Sequence, residues 1–394
     1  PAVGDLDARP GERPVSAPGG RQGGGSYGCA VLAPYTSVVL LSFGGPEGRA
    51  EVMPFLERVT AGRGVPPDRL AEVAEHYYQV DGVSPINAQN RALVAALAAE
   101  FARRGAPATV RLANRNSEPY VADVLAELAP GPVLVLLTSP YQSYSSCRQY
   151  REDLGRAVGE LMAARGQIEV AKVPPYAGHP AFRETVTRLV VETLDTALDG
   201  HPSGRVALVC VAHSIPTAAD AASGPIDGGG HAYSRALQDL ASELADAGSR
   251  HTGRQMSPDL AWCSRSGPPH IPWLEPDILD RLDELAETGV DTVVVAPIGF
   301  VSDHMEVVYD LDTEARERAR DLGLRFFRAP TVGIDPQFVA GLVDLALARA
   351  SAARGEAADE LTDLPPADCP TGCCASLRPA MATVCGIEVG AHVQ

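Results

Sequence analysis

From Ser37 onward, short runs of β-branched and leucine-rich residues alternate with longer Ala/Arg/Glu stretches of helical period. The runs are Ser37–Phe43, Ala108–Leu112, Val133–Thr138, Ile168–Val173, Arg205–Ala212, Leu260–Cys263, Thr292–Ile298 and Leu324–Arg328. The helical text between them reads at Pro85–Arg104, Ser117–Leu128, Ser146–Arg165, Pro180–Leu198, Ser234–Ala247, Pro276–Thr288, Asp303–Leu322 and Pro336–Ala353. Near-continuous apolar strands joined by crossover helices predict parallel sheets covered on both faces, an α/β fold. The repeat predicts two similar doubly wound, parallel-sheet halves, over 35–167 and 168–330, with a cleft between them at the C-terminal ends of strands. A helix over 331–354 then packs back. Residues 1–34 are rich in Gly and Pro and read as a disordered extension, and 355–394 form a Cys-rich tail.

At 45% hydrophobic and 21% charged, the 394 residues can bury a large core. Fifty acidic against 33 basic side chains leave a net charge of −17, which argues against nucleic acid and anionic membrane surfaces as partners. No run approaches the ~18 apolar residues of a transmembrane helix. The N-terminus lacks a signal-peptide apolar region, so a cytoplasmic location is expected. Eight cysteines in such a chain read as thiols or metal ligands, not as a disulfide framework.

Candidate chemistry sits where strands end. Ser42-Phe43-Gly44-Gly45-Pro46-Glu47 is a Gly-rich strand-to-helix turn, open enough for a flat ligand to approach the backbone. In Asp81–Asn87, Ser84 serves equally well as a helix cap. Polar and aromatic residues crowd Thr138–Tyr150 directly after a hydrophobic strand, where α/β proteins keep binding loops. His213, in VAHSIP, ends a buried strand and is followed by a rigid proline. PIGFVSDHMEVVYDLD follows another strand end, and on an α-helix Asp303, Glu306 and Asp310 would share one face. Imidazole with carboxylates suits Fe²⁺, Zn²⁺ or Co²⁺, and the same groups can accept protons near neutral pH. Two tryptophans flank the Pro-rich loop of WCSRSGPPHIPWLEP, which reads as a rigid connection. There is neither a Walker-type loop nor a GxGxxG opening a helix. Cys369, Cys373 and Cys374 pack three thiols into six residues, a density that favours metal binding over a surface disulfide.

In this order, LLSFGGPEG, VDGVSPIN, SPYQSYSS, VAHSIP, WCSRSGPP with WLEPDI, and PIGFVSDHMEVVYDLD resemble the ferrochelatases, which insert Fe²⁺ into a porphyrin. The resemblance covers roughly residues 36–354. It implies two Rossmann-like halves with the porphyrin between them and Fe²⁺ as substrate, facing His213 and Glu306. Asp303, His304 and Asp310 then form an acidic relay, and Ser84 and Tyr150 match positions that touch the macrocycle or its propionates. At Phe43 some relatives place a Tyr whose oxygen approaches the iron, a contact that Phe removes. Some ferrochelatases hold a [2Fe–2S] cluster on three C-terminal cysteines and one from mid-chain; Cys147 matches the fourth ligand, with Cys385 as an alternative to Cys373 or Cys374. The text is most similar to actinobacterial enzymes acting on coproporphyrin III, whose four propionates need cationic contacts such as Arg63. Protoporphyrin IX or another tetrapyrrole is the alternative substrate, and a non-catalytic haem carrier the alternative outside enzymes. A transient partner among the haem-pathway enzymes is also implied.

Overall fold

The computed structural model describes residues 31–62, 64–165, 168–200, 204–267, 270–377 and 381–384. Arg63, Cys29 and Cys385 lie outside them, as does nearly all of the N-terminal extension.

The strands are β1 (Ser37–Ser42), β2 (Thr109–Asn114), β3 (Val133–Leu137), β4 (Val170–Lys172), β5 (Val206–His213), β6 (Leu260–Cys263), β7 (Thr292–Ala296) and β8 (Arg325–Arg328). They form two four-stranded sheets, β2-β1-β3-β4 and β6-β5-β7-β8, with every pairing parallel. The two orders are the same, so each sheet has its first strand central and a switch in strand order beside it. That is the doubly wound α/β arrangement in duplicate. Every residue of β1, β3 and β7 is buried, as expected for strands covered on both faces.

The sheet boundary differs from the one expected at 167/168. Val133–Val135 of β3 pairs with Val170–Lys172, so β4 completes the first sheet and the second begins at β5. Alternation of strand and helix text does not reveal which edge a strand joins; only pairing does.

One apolar core runs between the halves. It joins Leu40 and Leu136 of the first sheet to Leu208 and Val294 of the second through the helices Ile86–Arg103, Pro180–Leu198 and Ala232–Thr252. The helix Pro336–Ala353 inserts Phe338, Leu342 and Val343 into this core and packs on both Ile86–Arg103 and Pro180–Leu198. Asp335 caps it by accepting from the Gln337 amide at 3.0 Å, and Pro336 opens it with a pre-set φ. Separate clusters fill the outer face of each sheet.

Two helices were not legible from the pattern: Arg49–Val59 and Pro67–Tyr78, which bury Val52, Phe55, Leu56 and Leu70 against Phe43, Tyr77 and Tyr78. Pro54 inside the first and the Pro66-Pro67 pair at the start of the second break up the helical text. Two predicted α-helices instead begin with π-turns, Tyr144–Arg148 and Val307–Ala315. Such wide turns recur at functional sites, because they re-aim side chains that an α-helix would align.

Candidate active site between the two sheets

His213 is the last residue of β5, and register places it beside Cys263 at the end of β6. Its ring is fixed from behind: Nδ1 bonds the Ser214 carbonyl, and the Tyr233 hydroxyl donates to the His213 carbonyl at 2.9 Å. Nε2 points the other way and lies 3.5 Å from Glu306 Oε2. The same carboxylate oxygen is 3.6 Å from His304 Nδ1. The His213 side chain is 32% exposed and that of Glu306 44%, so the pair is open to a ligand.

The electrostatics follow from this placement. Burial works against the charged form of His213, but the Glu306 carboxylate and its hydrogen bond, the Ser214 carbonyl and Asp310 outweigh it and lift the imidazole to about 9. For His304 burial prevails over Glu306, with the His213 charge adding to it, and the ring is held below the ordinary range. Burial pushes Asp310 up to about 7, against the opposing Ser264 hydrogen bond and with help from the charges of Glu306 and Glu314. The Ser264 hydroxyl donates to Asp310 Oδ2, and Ser264 holds a left-handed φ of 64°. A non-glycine residue in that region is strained, and such strain clusters at functional sites. The Pro-rich loop after β6 is therefore more than a connection, since Ser264 orients an acid of the site.

Asp303 sits differently from the expectation. The helix begins after it, so Asp303 does not line up with Glu306 and Asp310. It pairs with Arg328 at 3.2 Å and takes hydrogen bonds from Thr331 and Gln89. Gln89 also accepts from the Asp303 amide at 2.8 Å, and Ser302 donates to Asn90 at 3.1 Å, while Asn90 donates to Ser42 at the end of β1 at 2.7 Å. These contacts, with the Tyr141 hydroxyl on the Ile298 carbonyl at 2.7 Å, tie the strand ends of one sheet to those of the other. His76 stacks on Tyr309 across the same boundary, with centroids 3.8 Å apart.

On the first-sheet side, Gly44 takes a positive φ of 81° at the turn, whereas Gly45 is required by space: a Cβ there would lie 2.6 Å from the Ser84 Cβ. Ser84 is buried, and its amide donates to the Pro46 carbonyl at 2.9 Å, which closes the two loops on each other. Phe43 packs edge-on against Phe55 at 6.1 Å. Tyr150 is only 4% exposed and lies under the Arg115 guanidinium, 4.5 Å from its ring centre, so it supports the wall instead of presenting a free face. Arg115 was missed in the sequence. It follows β2 at a strand end, bonds Asp153 at 2.5 Å, and has a side chain only 4% exposed; among the described residues its Nη1 has no hydrogen-bond partner. An arginine directly after a predicted strand was the available signal.

A second constellation lies behind this wall. Cys147, on the first π-turn, meets Cys369, Cys373 and Cys374 in one buried cluster. Cys373 and Cys374 sulfurs are 3.8 Å apart, and the Cys374 sulfur accepts from the Gly224 amide at 3.3 Å. Hydrogen bonds from the neighbouring thiols hold Cys369 and Cys374 below the ordinary range, while hydrogen bonds to their neighbours, with burial, push Cys147 and Cys373 above it. Among the described residues no set of three His, Cys, Asp or Glu side chains is placed to hold a metal ion.

Two like parallel-sheet halves thus meet with an imidazole and carboxylates set at their strand ends, the architecture of an α/β enzyme. The ferrochelatase family model matches residues 35–350, and the chain belongs to that family. It is 48% identical over 360 residues to the coproporphyrin III ferrochelatase of Streptomyces coelicolor, covering 88% of this chain and 95% of that protein. The corresponding protein of Streptomyces griseus is 48% identical over 357 residues, with the same coverage. That of Leifsonia xyli is 46% identical over 362 residues, covering 87% of this chain and 92% of its own length.

Proposed function

We propose that this protein is a lyase that inserts Fe²⁺ into coproporphyrin III in haem synthesis, releasing the two pyrrole protons. The observation that carries this is the His213–Glu306 pair at 3.5 Å, open on one side and backed by Asp310. Metallation must deliver a cation to the ring nitrogens and take protons from them, so it needs a donor pair and an acceptor close together.

His213 and Glu306 take the Fe²⁺ from solvent and present it to the macrocycle. His213 shares a proton with Glu306 while the pair is empty, and that proton leaves when the cation arrives. Asp310, poised near neutrality, passes protons onward, and His304 keeps a neutral nitrogen beside Glu306. Phe43, Ser84 and Tyr150 shape the wall for the macrocycle, Arg115 adds a cation beside it, and Arg63 is a further candidate for a propionate. Asp303 holds the loop that carries Glu306 through its Arg328 pair.

The donor set of Cys147, Cys369, Cys373 and Cys374 fits a [2Fe–2S] cluster: four buried sulfurs in one pocket, with Arg148 and Arg151 donating to the Cys373 carbonyl. When bound, such a cluster cross-links the tail to the π-turn that leads into Tyr150. Among the described residues no helix is long and apolar enough to cross a membrane, which accords with a substrate carrying four carboxylates.

The test is anaerobic metallation of coproporphyrin III and protoporphyrin IX with Fe²⁺, by wild type and His213→Ala. Rapid insertion into coproporphyrin, lost in the variant, is expected. Faster insertion into protoporphyrin overturns the substrate assignment, and tight porphyrin binding without insertion makes the protein a carrier.

A further inference from the structure

The segment that carries Glu306 and Asp310 is gripped at both ends by one guanidinium. Arg328 ends β8, and register sets it beside Val295 of β7, the strand from which that segment emerges. Its Nε and Nη2 donate to the Asp312 carboxylate at 2.8 and 2.9 Å, while Nη1 and Nη2 donate to that of Asp303 at 3.2 and 3.4 Å. The remaining Nη1 hydrogen takes the Ala329 carbonyl at 3.4 Å, so all its donors are used. Asp303 precedes Glu306 in the chain and Asp312 follows Asp310, so the two ion pairs bracket both acids of the site. All three paired side chains are at most 25% exposed. A second grip comes from the other half. Gln89, in the first turn of the helix Ile86–Arg103, accepts from the Asp303 amide at 2.8 Å and donates to its carboxylate at 3.4 Å. That helix starts beside Ser84, in the wall for the macrocycle.

We propose that Arg328 and Gln89 are positioning residues of the metallation reaction, which hold the segment carrying Glu306, from the second half and from the first, where Glu306 meets His213. The inference rests on the ferrochelatase reading of the site. The segment needs a hold from outside. Glu306 leads directly into the π-turn Val307–Ala315 and no side chain caps that turn, while π-turns are rare and short because their hydrogen-bonded loops are wide. Without the guanidinium, two carboxylates drawn to one cation repel each other, and the ends of the segment part. Arg316 offers Asp312 a second cation at 3.3 Å but leaves Asp303 without one. Glu306 then shifts against His213, and a misplacement of about 1 Å near reacting groups costs on the order of 10²-fold in rate. Lysine cannot replace this clamp in full, because an ammonium is a point charge without the planar fork that takes two carboxylates at once.

The experiment uses the full chain: anaerobic steady-state metallation of coproporphyrin III by Fe²⁺, porphyrin affinity from fluorescence titration, and amide hydrogen exchange over residues 303–312 by mass spectrometry. Folded Arg328→Met is expected to lower kcat by about tenfold or more and to speed exchange over 303–312, with the porphyrin dissociation constant within about twofold of wild type. Arg328→Lys is expected to recover part of kcat. Gln89→Met is expected to lower kcat in the same way, and it carries the test should Arg328→Met not fold. A loss of kcat smaller than about tenfold in the folded variants overturns the proposal. Equal losses of kcat and of porphyrin affinity overturn it too, because they mark residues that hold the cleft as a whole. Both of those results leave the ferrochelatase reading standing as long as the wild type metallates coproporphyrin. A wild type that metallates no porphyrin overturns that reading, and the proposal with it.

Discussion

His213 Nε2 and Glu306 Oε2 face each other at 3.5 Å, although one ends a strand of the second sheet and the other opens the helix after the neighbouring strand. Parallel β5 and β7 deliver both to the same end of the sheet, because parallel pairing puts all C-terminal strand ends on one edge. Glu306 is 44% exposed, so removing its charge costs the fold little. Glu306→Gln is expected to lower the metallation rate about 10²-fold or more, on the scale of a lost acid–base group, with porphyrin affinity and thermal midpoint nearly unchanged. Stopped-flow metallation beside a porphyrin titration checks this; a rate within about threefold of wild type refutes the role.

Asp310 gives the pH dependence. Its folded-state value near 7 lies above the ordinary carboxylate range, so the folded protein holds that proton more tightly than the unfolded chain. The associated stability is complete below about pH 4 and is lost as pH rises through 7. Asp310→Asn can still accept from Ser264 and removes the titration. Midpoints measured at pH 5 and pH 8 should differ less in the variant than in the wild type, and equal differences would place Asp310 in a more solvated setting.

Gly45→Ala tests the wall beside Ser84. The new Cβ would stand 2.6 Å from the Ser84 Cβ and 2.9 Å from Ile86 Cγ2, both buried, so the two loops must part. A cost of about 1–3 kcal/mol and a porphyrin dissociation constant raised about tenfold are expected, since 1.4 kcal/mol is one decade. Gly48→Ala, with nothing within 4 Å of its Cβ, is the control and should change neither.

Arg115 is paired with Asp153 at 2.5 Å and stacked over Tyr150. Arg115→Met is expected to destabilise the fold by about 1–3 kcal/mol, because Asp153 is left with only its second partner, Arg156, at 2.9 Å. Coproporphyrin should also bind more weakly. Urea unfolding and fluorescence titration separate the two effects, and unchanged porphyrin affinity removes Arg115 from the binding wall.

The periodicity of hydrophobic runs determined the α/β class and all eight strands, because a strand buried on both faces needs an uninterrupted apolar run wherever it lies in the sheet. The helix Pro180–Leu198, with proline at its start, was readable to the residue. The local text also placed His213, Glu306 and Asp310 at or just after strand ends, and the structure brings His213 and Glu306 within 3.5 Å of each other. What tertiary structure decided depends on partners far along the chain. Pairing assigned β4 to the first sheet. The helix begins only after Asp303, so the face expected to carry Asp303, Glu306 and Asp310 does not form, and Asp303 pairs with Arg328 instead. The helices Arg49–Val59 and Pro67–Tyr78 exist because they cover one another and Phe43, against their own prolines. The sequence listed three close cysteines; only the folded tail put Cys147 of the π-turn among the same sulfurs, with Arg151 donating to the Cys373 carbonyl. Charge is legible residue by residue, but the field it makes depends on distance and burial, which belong to the folded chain.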